Sequence, residues 1–318
     1  MRLSASAIER LHNCPTSAAL PAVYVTGDAA EQGTDNHAAV EVAARAYRDH
    51  GVIPDGPLGE LLRGCTVLAI ERALVVDVVT QRVRDLGEGV GRAYGELSPT
   101  EVACTVDIVI RHADGRVSVY DWKSRSRVTS AARNWQVKVQ ALAVLGWLSE
   151  QTVQAGLVYL DDWQADVAEF DALDCAAIAS ELVELRERLT RAKAEDPVHL
   201  GKWCDYCPAQ FGCPGRLAIA RAGVLAAVAQ GLDALSDEQA GEVWTQLNAA
   251  ADIVDAARDV IKARAKRSPV PLPNGKRLAL VEAERNSVDN KKAAQLLESQ
   301  GIPVPMKVSR YTQLREVK

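Results

Sequence analysis

The chain has 318 residues, of which 48% are hydrophobic, and a formal net charge of -5. This length and apolar content provide for one large domain or two, so the protein is expected to be globular. The negative charge excludes a uniformly basic coat for nucleic acid and leaves only local or metal-mediated contacts with phosphate.

Nothing in the sequence indicates a membrane-spanning segment or a signal peptide. No stretch approaches the roughly 18 uninterrupted apolar residues that a membrane span needs. The start, Met1-Arg2-Leu3-Ser4, carries no apolar signal-peptide core. We therefore expect a cytoplasmic location. The seven cysteines agree, because an odd number is no disulfide framework and clustered cysteines in a reducing compartment more often bind metal.

The first predicted element is a short helix. Ser6 and Glu9 have the spacing of a capping box at its beginning. The helix is expected to end at Cys14-Pro15, because proline disfavours helical geometry in the residue before it. Cys14 is therefore predicted to lie at a helix end.

Two further helices are predicted in the first third of the chain. An alanine-rich segment from about residue 34 to 47 forms one, with His37 and Glu41 one turn apart on a shared face. The other is expected at about 68–86, after a loop rich in glycine and proline.

The pattern then changes to alternation, which predicts a strand from Val102 to Arg111. A turn at 113–115 and a returning strand at 116–123 complete a hairpin, in which Asp121 and Lys123 share one face. The alternation on the first strand predicts two sets, with Val102, Cys104, Val106, Ile108 and Ile110 on one face and Thr105, Asp107 and Val109 on the other.

The remaining elements indicate a mixed α/β core followed by helices. They are a helix at 130–148, strands near 153–160 and 166–170, helices at 174–194, 217–231 and 236–266, and a short strand and a helix after residue 269.

Two acidic residues of the hairpin need an explanation. Asp107 and Asp121 lie on neighbouring strands, and two carboxylates that face the same space repel each other unless a cation lies between them. Hard oxygen ligands select Mg2+ or Mn2+, which can activate a water and hold a phosphodiester. Lys123 would reach the same pocket. The alternative is a surface ion pair of Asp121 with Lys123 or Arg125, worth at most about 1 kcal/mol.

Four cysteines form a second candidate site. Cys204, Cys207 and Cys213 have the spacing C-x2-C-x5-C, which brings three thiolates together and leaves a tetrahedral site one ligand short. The distant Cys14 would complete it. Four thiolates suit zinc or an iron-sulfur cluster, and spacing does not choose between them. The other three cysteines are expected to be buried small residues: Cys65, Cys104 and Cys175.

The order of these motifs resembles that of a known family. It runs Cys14, Gly33-Thr34-Asp35-Asn36-His37, Thr105-Val106-Asp107, Asp121-Trp122-Lys123, Gln136, and Cys204, Cys207 and Cys213. This succession resembles the RecB-like branch of the PD-(D/E)XK nuclease superfamily, in particular the iron-sulfur exonucleases that include CRISPR-associated RecB-like nucleases and a related phage and prophage group.

The resemblance implies a restriction-endonuclease-like fold, a mixed central sheet flanked by helices. It covers about residues 1–215, which would form a nuclease core closed by the cysteine cluster. Residues 216–318 would be a mainly helical extension of unknown role.

Roles for individual residues also follow from the resemblance. His37, Asp107 and Asp121 would ligate the catalytic Mg2+ or Mn2+ with the backbone carbonyl of Trp122, and Lys123 would be the catalytic lysine. The resemblance further favours a 4Fe-4S cluster over zinc at Cys14, Cys204, Cys207 and Cys213, with a structural role.

Substrate contacts are expected from Gln136, Gln140, Arg125 and Arg133. Gln136 matches the glutamine of the family's Q-x3-Y helix, whereas Gln140 replaces its tyrosine and removes a ring for stacking. The glycine often found shortly before the first acidic ligand is also absent. Both departures concern contacts with DNA more than the metal site.

The function that the resemblance implies is a metal-dependent DNA exonuclease that acts on free ends or single strands in phage or bacterial DNA processing or recombination. Its partners would be DNA and recombination or CRISPR-adaptation proteins, with no membrane partner. One alternative is a non-catalytic module that binds DNA or a partner, and another is a zinc-stapled protein with no role in nucleic acid chemistry. Cutting polarity, strand preference and oligomeric state stay open.

Overall fold

The computed structural model describes residues 3–23, 28–123, 129–204, 207–229, 235–273 and 275–279, with only the backbone at 28–36 and 226–229. The chain divides into two compact units, residues 1–264 and residues 265–318. All the predicted site residues belong to the first unit. The expected boundary between residues 215 and 216 stays a prediction.

A seven-stranded sheet forms the centre of the first unit, with the order β3-β2-β4-β5-β6-β7 and β1 beside β4. The pairs β1–β4 and β5–β6 are parallel and the other pairs in this sheet are antiparallel. The strands are β1 (Leu3–Ser4), β2 (Thr66–Asp77), β3 (Val83–Glu88), β4 (Glu101–Arg111), β5 (Val117–Lys123), β6 (Thr152–Tyr159) and β7 (Gln164–Asp171).

Helices cover both faces of this sheet, which confirms the predicted mixed α/β class. Helices α1, α4 and α5 pack on one face and α2 and α3 on the other. None of the helices that the structure describes is long and apolar enough to cross a membrane. The helices are α1 (Ala5–Asn13), α2 (Asp28–His50), α3 (Pro57–Leu62), α4 (Trp135–Leu148), α5 (Ala172–Arg191), α6 (Pro214–Ala229) and α7 (Asp237–Arg267).

Outside the sheet, the second unit contains a short hairpin of β8 (Val270–Pro271) and β9 (Arg277–Leu278). The helix predicted after residue 269 lies outside the described residues.

Strand β4 changes face at Asp107. Val106 packs with the helices α1, α4 and α5, whereas Ile108 packs with α2 and α3. Val109 returns to the first face, so two residues separate Val106 and Val109 where strict alternation allows one. The prediction that all five alternating apolar residues share a face was therefore wrong. An irregularity of this kind is typical of strands beside functional sites.

The helix predicted at 68–86 was also wrong, because the segment forms β2 and β3. Val75 and Val76 are adjacent and both fully buried, as expected for a strand covered on both faces. Such a continuous apolar run has no period that separates a strand from a helix.

The beginning of α1 also differs from the prediction. Ser4 precedes the helix and its side chain makes no capping hydrogen bond, so the predicted capping box of Ser6 and Glu9 is absent from this helix. The helix does end at Asn13, immediately before Cys14-Pro15. The other predicted helices and strands within the described residues agree with the structure to within about six residues at each end, and the largest difference is the start of α2 at Asp28 where residue 34 was expected.

An opening in the sheet lies along one edge of β4. Strand β5 pairs with β4 only from Ile108–Tyr120 to Arg111–Val117. Strand β1 takes the same side of β4 at Val102 and Ala103. Residues 104–107 lie between these two partners and have no strand partner there among the described residues. Asp107 is the last of them and borders the opening.

Candidate active site

Asp107 and Asp121 meet where β4 and β5 diverge. Asp107 lies one residue beyond the last paired position, Ile108–Tyr120, and the extended register places it opposite Asp121. Both are buried, at 8% and 2% exposure. The Trp122 N–H donates to Asp107 Oδ2 at 2.7 Å. The structure thus brings the two predicted acids together.

The environment of Asp107 opposes its negative charge. Burial raises the pKa of Asp107 well above its usual range, and the charges of Asp121 and Glu71 raise it further. The Trp122 hydrogen bond and the charge of Lys123 act in the opposite direction. A bound divalent cation would reverse this balance, because it favours the ionised carboxylate.

Asp121 is held by three side chains. Gln140 Nε2 donates to its Oδ1 at 3.0 Å, and Gln136 Nε2 donates to the same oxygen. The Lys123 ammonium lies 2.5 Å from Oδ2 as an ion pair. This Oδ2 atom is buried, and the Lys123 ammonium compensates its charge. A buried carboxylate oxygen that is paired with a cation has the chemistry of a ligand for Mg2+ or Mn2+.

Lys123 is positioned to act as a cation. Its Nζ donates to Gln136 Oε1 at 3.0 Å. Burial lowers the pKa of Lys123, but the charge and hydrogen bond of Asp121 raise it more, and the net shift is upward. The side chain therefore keeps its positive charge at neutral pH. A permanently protonated amine stabilises negative charge and does not serve as a general base.

His37 reaches the same opening from α2. Its Nδ1 is 3.9 Å from Asp107 Oδ2, and it hydrogen-bonds the backbone of Trp122. Burial lowers the pKa of His37, and the positive charge of Lys123 adds to this effect, whereas Asp121 opposes it. The neutral imidazole that results is the form that binds metal.

Glu71 is a site residue that the sequence analysis missed. On β2 it lies between Ile70, which pairs with Ile108, and Arg72, which pairs with Val106, and so stands opposite Asp107. Its φ is 48°, an uncommon value for a residue with a side chain. Burial raises the pKa of Glu71 to about 7, with further contributions from neighbouring carboxylates. A lone acid inside an apolar strand was the signal for it.

Gln140 supports the site from inside the protein. It is only 1% exposed, and its Nε2 donates to the Thr105 carbonyl at 3.1 Å as well as to Asp121. This burial suits a positioning role better than the substrate contact that we expected. Tyr94 OH lies 2.9 Å from Thr105 Oγ1, so a loop residue contributes a ring near this position.

The two predicted arginine contacts have different outcomes. Arg133 is exposed in a 3-10 turn, Ala131–Arg133, which leads into α4. Arg125 lies outside the described residues. A further exposed arginine, Arg92, lies close enough to lower the pKa of His37. Arg92 therefore contributes positive charge near His37.

No three His, Cys, Asp or Glu side chains stand as a complete metal-binding group within the part of the chain that the structure describes. At the acidic opening, the Lys123 ammonium forms an ion pair with Asp121. The donor set of two carboxylates and one imidazole still matches the ligands that Mg2+ and Mn2+ accept.

The four predicted cysteine ligands line one cavity: Cys14, Cys204, Cys207 and Cys213. Three contacts hold the distant chain segments together there. Thr16 Oγ1 donates to the Pro197 carbonyl at 2.8 Å, and the Val23 N–H donates to the Pro208 carbonyl at 2.7 Å. Arg188 also donates to the His12 carbonyl at 3.4 Å. The structure thus brings Cys14 to the same cavity as the other three cysteines, and their role as metal ligands stays a prediction.

The remaining cysteines are only partly as predicted. Cys104 and Cys175 are buried, and burial raises the pKa of each thiol to about 12. Cys65 is half-buried, and its Sγ lies 3.5 Å from His112 Nδ1. All seven thiols are free.

Comparison with known proteins identifies a family for most of the chain. The family model of the PD-(D/E)XK nuclease superfamily matches residues 2–214. Among solved structures, the crystal structure of SSO0001 is similar at 15% sequence identity, with 59% of this chain and 71% of that chain covered and a TM-score of 0.31. No curated protein matches the chain significantly.

Proposed function

Because the chain belongs to the PD-(D/E)XK nuclease superfamily, we propose that it is a Mg2+ or Mn2+ dependent DNA exonuclease that hydrolyses phosphodiester bonds from free ends or single strands. The superfamily uses such metals, and its fold implies DNA as the substrate. The observation that carries the proposal is the convergence of Asp107, Asp121 and Lys123 at the opening between β4 and β5.

The metal would be held by His37, Asp107, Asp121 and the backbone carbonyl of Trp122. The burial of Asp107 and Asp121 side by side supports this assignment, since two neighbouring carboxylates repel each other unless a cation lies between them. When bound, such a cation lowers the pKa of a water and neutralises charge on the phosphate.

The protein's own groups supply orientation and charge. Lys123 keeps its ammonium next to the acids and stabilises the negative charge that develops on the phosphate. Gln136 joins Lys123 to Asp121 through two hydrogen bonds. Gln140 fixes the other side of the same carboxylate. These bonds fix Asp121 and Lys123 in their positions before a substrate binds.

Contacts with DNA would come from a local basic rim. Arg133 is exposed beside α4. We propose that Arg125 and Gln136 also contact the DNA. A net charge of -5 is compatible with this arrangement, because only a few phosphates need contact near the site.

At the four cysteines we propose a 4Fe-4S cluster, with zinc as the alternative occupant. The shared cavity and the hydrogen bonds between residues 14–23 and 197–213 support a structural role, since such a centre would tie the start of the chain to the end of the matched region. This feature also supports the RecB-like branch, with a role in phage or bacterial DNA processing alongside recombination or CRISPR-adaptation proteins.

A nuclease assay tests the proposed activity. DNA labelled at the 5' or 3' end, single- or double-stranded, is incubated with Mn2+ and anaerobically purified protein. We expect ladders or mononucleotides from the wild type. Lys123→Ala should lower the single-turnover rate about 100- to 1000-fold, because it removes charge stabilisation at the phosphate. The matched control is Lys193→Ala, which changes an exposed lysine 70 residues away in the sequence from Lys123. This variant should cleave normally.

The second candidate is a non-catalytic module that binds DNA or a partner. The ion pair of Lys123 with Asp121 favours it, because the ammonium neutralises a carboxylate that a catalytic metal would need. Protein that binds DNA but leaves every substrate intact in both Mg2+ and Mn2+ would establish this alternative and exclude the exonuclease.

Metal content separates the two occupants of the cysteine cavity. Anaerobically purified protein with iron and sulfide would support the cluster. Bound zinc without iron would exclude the iron-sulfur cluster and establish a structural zinc site. Replacement of Cys207 by serine should abolish either centre, whereas Cys175→Ser, a buried cysteine elsewhere, should not.

A further inference from the structure

Two arginines line the cavity of the four cysteines, Arg10 from α1 and Arg216 from α6. Arg216 is only 7% exposed. A guanidinium is always protonated, so its burial next to four thiols places a fixed positive charge on the cavity wall. Buried charges in proteins are normally paired, and the partners of Arg216 therefore bear on what the cavity holds.

The partners of Arg216 within the described residues compensate its charge weakly. Its Nη1 donates to the Cys204 carbonyl at 3.1 Å and approaches Gln210 Oε1 at 3.4 Å, and both acceptors are neutral. Its Nη2 lies 3.2 Å from Asp252 Oδ2. The Asp252 side chain is 64% exposed, and water screens such a carboxylate strongly.

A second positive feature points at the same cavity. Helix α6 begins at Pro214, the residue after Cys213, and the Leu217 N–H donates to the Cys213 carbonyl at 3.1 Å. The amino terminus of this 16-residue helix carries the positive end of its dipole. Together with Arg10 and Arg216, it makes the surroundings of the thiols electropositive.

We propose that Arg216 is a positioning residue for a metal–thiolate centre in this cavity, where its buried guanidinium stabilises the net negative charge of four thiolates around the metal. Four thiolates outweigh the positive charge of a bound dication, so the centre carries a net negative charge whether its occupant is zinc or an iron-sulfur cluster. Asp252 moderates the effect from α7. The inference rests on the proposed metal site at the four cysteines.

Two consequences follow from this charge balance. A nearby cation stabilises the more negative of two redox states, so Arg216 would raise the midpoint potential of an iron-sulfur cluster. Arg216 would also strengthen the retention of either metal, because its positive charge favours the thiolate form of the cysteines that bind the metal.

The test compares Arg216→Gln with Arg221→Gln in the metal-loaded, full-length protein. Arg221 is an exposed residue of the same helix and serves as the matched control. We expect Arg216→Gln to lose metal to a chelator about 10 to 100 times faster than wild type, a change typical of residues that support metal ligands. If iron is present, its midpoint potential should shift to a more negative value. Arg216→Lys, which keeps the charge, should fall between the two.

Asp252→Asn provides an independent variant that is expected to fold, because this side chain is largely exposed. Removal of the opposing negative charge should slow metal loss, and the midpoint potential of a cluster should shift to a more positive value. If Arg216 had only a structural role, Asp252→Asn would not change metal loss and midpoint potential in the direction opposite to Arg216→Gln. If Arg216→Gln does not fold, this variant decides the matter.

Several results would overturn the inference. Metal loss and potential in Arg216→Gln that equal those of Arg221→Gln would refute it while the cysteine site stands. An Asp252→Asn variant that retains metal no better than wild type would do the same. Wild-type protein that binds neither iron nor zinc would remove the cysteine site itself, and the nuclease proposal would still stand on its own assay.

Discussion

At the scale of single residues, the site depends on how Asp121 is satisfied. One of its oxygens accepts hydrogen bonds from Gln136 and Gln140, and the other is paired with the Lys123 ammonium among the residues that the structure describes. Hydrogen bonds thus fix Oδ1 in position, whereas Oδ2 is the oxygen that can bind a cation. The same contacts keep Lys123 positively charged within the site.

Glu71 allows a test of the site's electrostatics in metal-free protein. Its folded-state pKa is about 7, above the ordinary 4.5, so the folded protein binds more protons than the unfolded chain in this range. Stability contributed by protonated Glu71 is therefore present below pH 4.5 and is lost as the pH rises through about 7. Glu71→Gln should weaken the fall in melting temperature between pH 5 and 8.

The control for this prediction is Glu169→Gln, an exposed glutamate on β7. It should melt like the wild type at every pH. An unchanged pH dependence in Glu71→Gln would show that this carboxyl ionises normally in the folded protein. The measurement needs chelator throughout, because a bound cation would stabilise the ionised acids.

The sequence predicted part of the site at this scale and missed part. Asp107, Asp121 and Lys123 were identifiable because acids and a lysine on a hairpin are conspicuous. Glu71 was missed because its segment was assigned to a helix, which removed it from the strand register. The burial of Gln140 depends on how α4 packs against β4 and β5, and no local pattern records that packing.

At the scale of elements, the divergence of β4 and β5 creates the opening. Strand β5 continues past its last pair with β4 because β6 supports it in parallel as far as Lys123–Tyr159. Asp121 and Lys123 thus extend from a strand that β6 supports and that no longer pairs with β4 along the described residues. The sequence predicted the hairpin, but the length of its paired part is set by β1 and β6, which are distant in the chain.

The contact between α6 and α7 yields a prediction at this scale. A Cβ added at Gly223 would lie 2.5 Å from Gln246 Cβ and 3.0 Å from its backbone carbon, so the two helices cross closely there. Gly223→Ala should force them apart and destabilise the protein by about 1–3 kcal/mol. Chemical denaturation would measure the change.

A matched control lies in α7 itself. Gly241 has open space around an added Cβ, so Gly241→Ala should stabilise the helix by about 0.5–1 kcal/mol. If the two alanine variants had the same stability, the close crossing of α6 and α7 would be wrong. The contact between Arg216 and Asp252 would lose its support as well.

At the scale of the whole molecule, the matched family region ends where the chain returns to its beginning. Residues 14–23 bond to residues 197–208 beside the cysteine cavity, so the first unit is closed by contacts between distant segments. The four-cysteine pattern predicted this closure from the sequence. The division of the chain at residue 264 had no comparable signal, since α7 runs across it without a break.

A truncation tests the independence of the first unit. A chain that ends at Arg267, the last residue of α7, keeps every described site residue. It should melt within a few degrees of the full-length protein and cleave DNA at a similar rate. Loss of folding or activity would show that the nuclease needs residues beyond α7.

The most direct test of the central claim is single-turnover cleavage of end-labelled DNA by Asp121→Asn, with Asp55→Asn in an exposed loop as the control. The variant keeps the side chain's shape and removes its charge. The account predicts that Asp55→Asn cleaves normally and that Asp121→Asn loses cleavage in both Mg2+ and Mn2+, about 100-fold or more. Cleavage by Asp121→Asn at the wild-type rate would place the chemistry outside this opening and contradict the account.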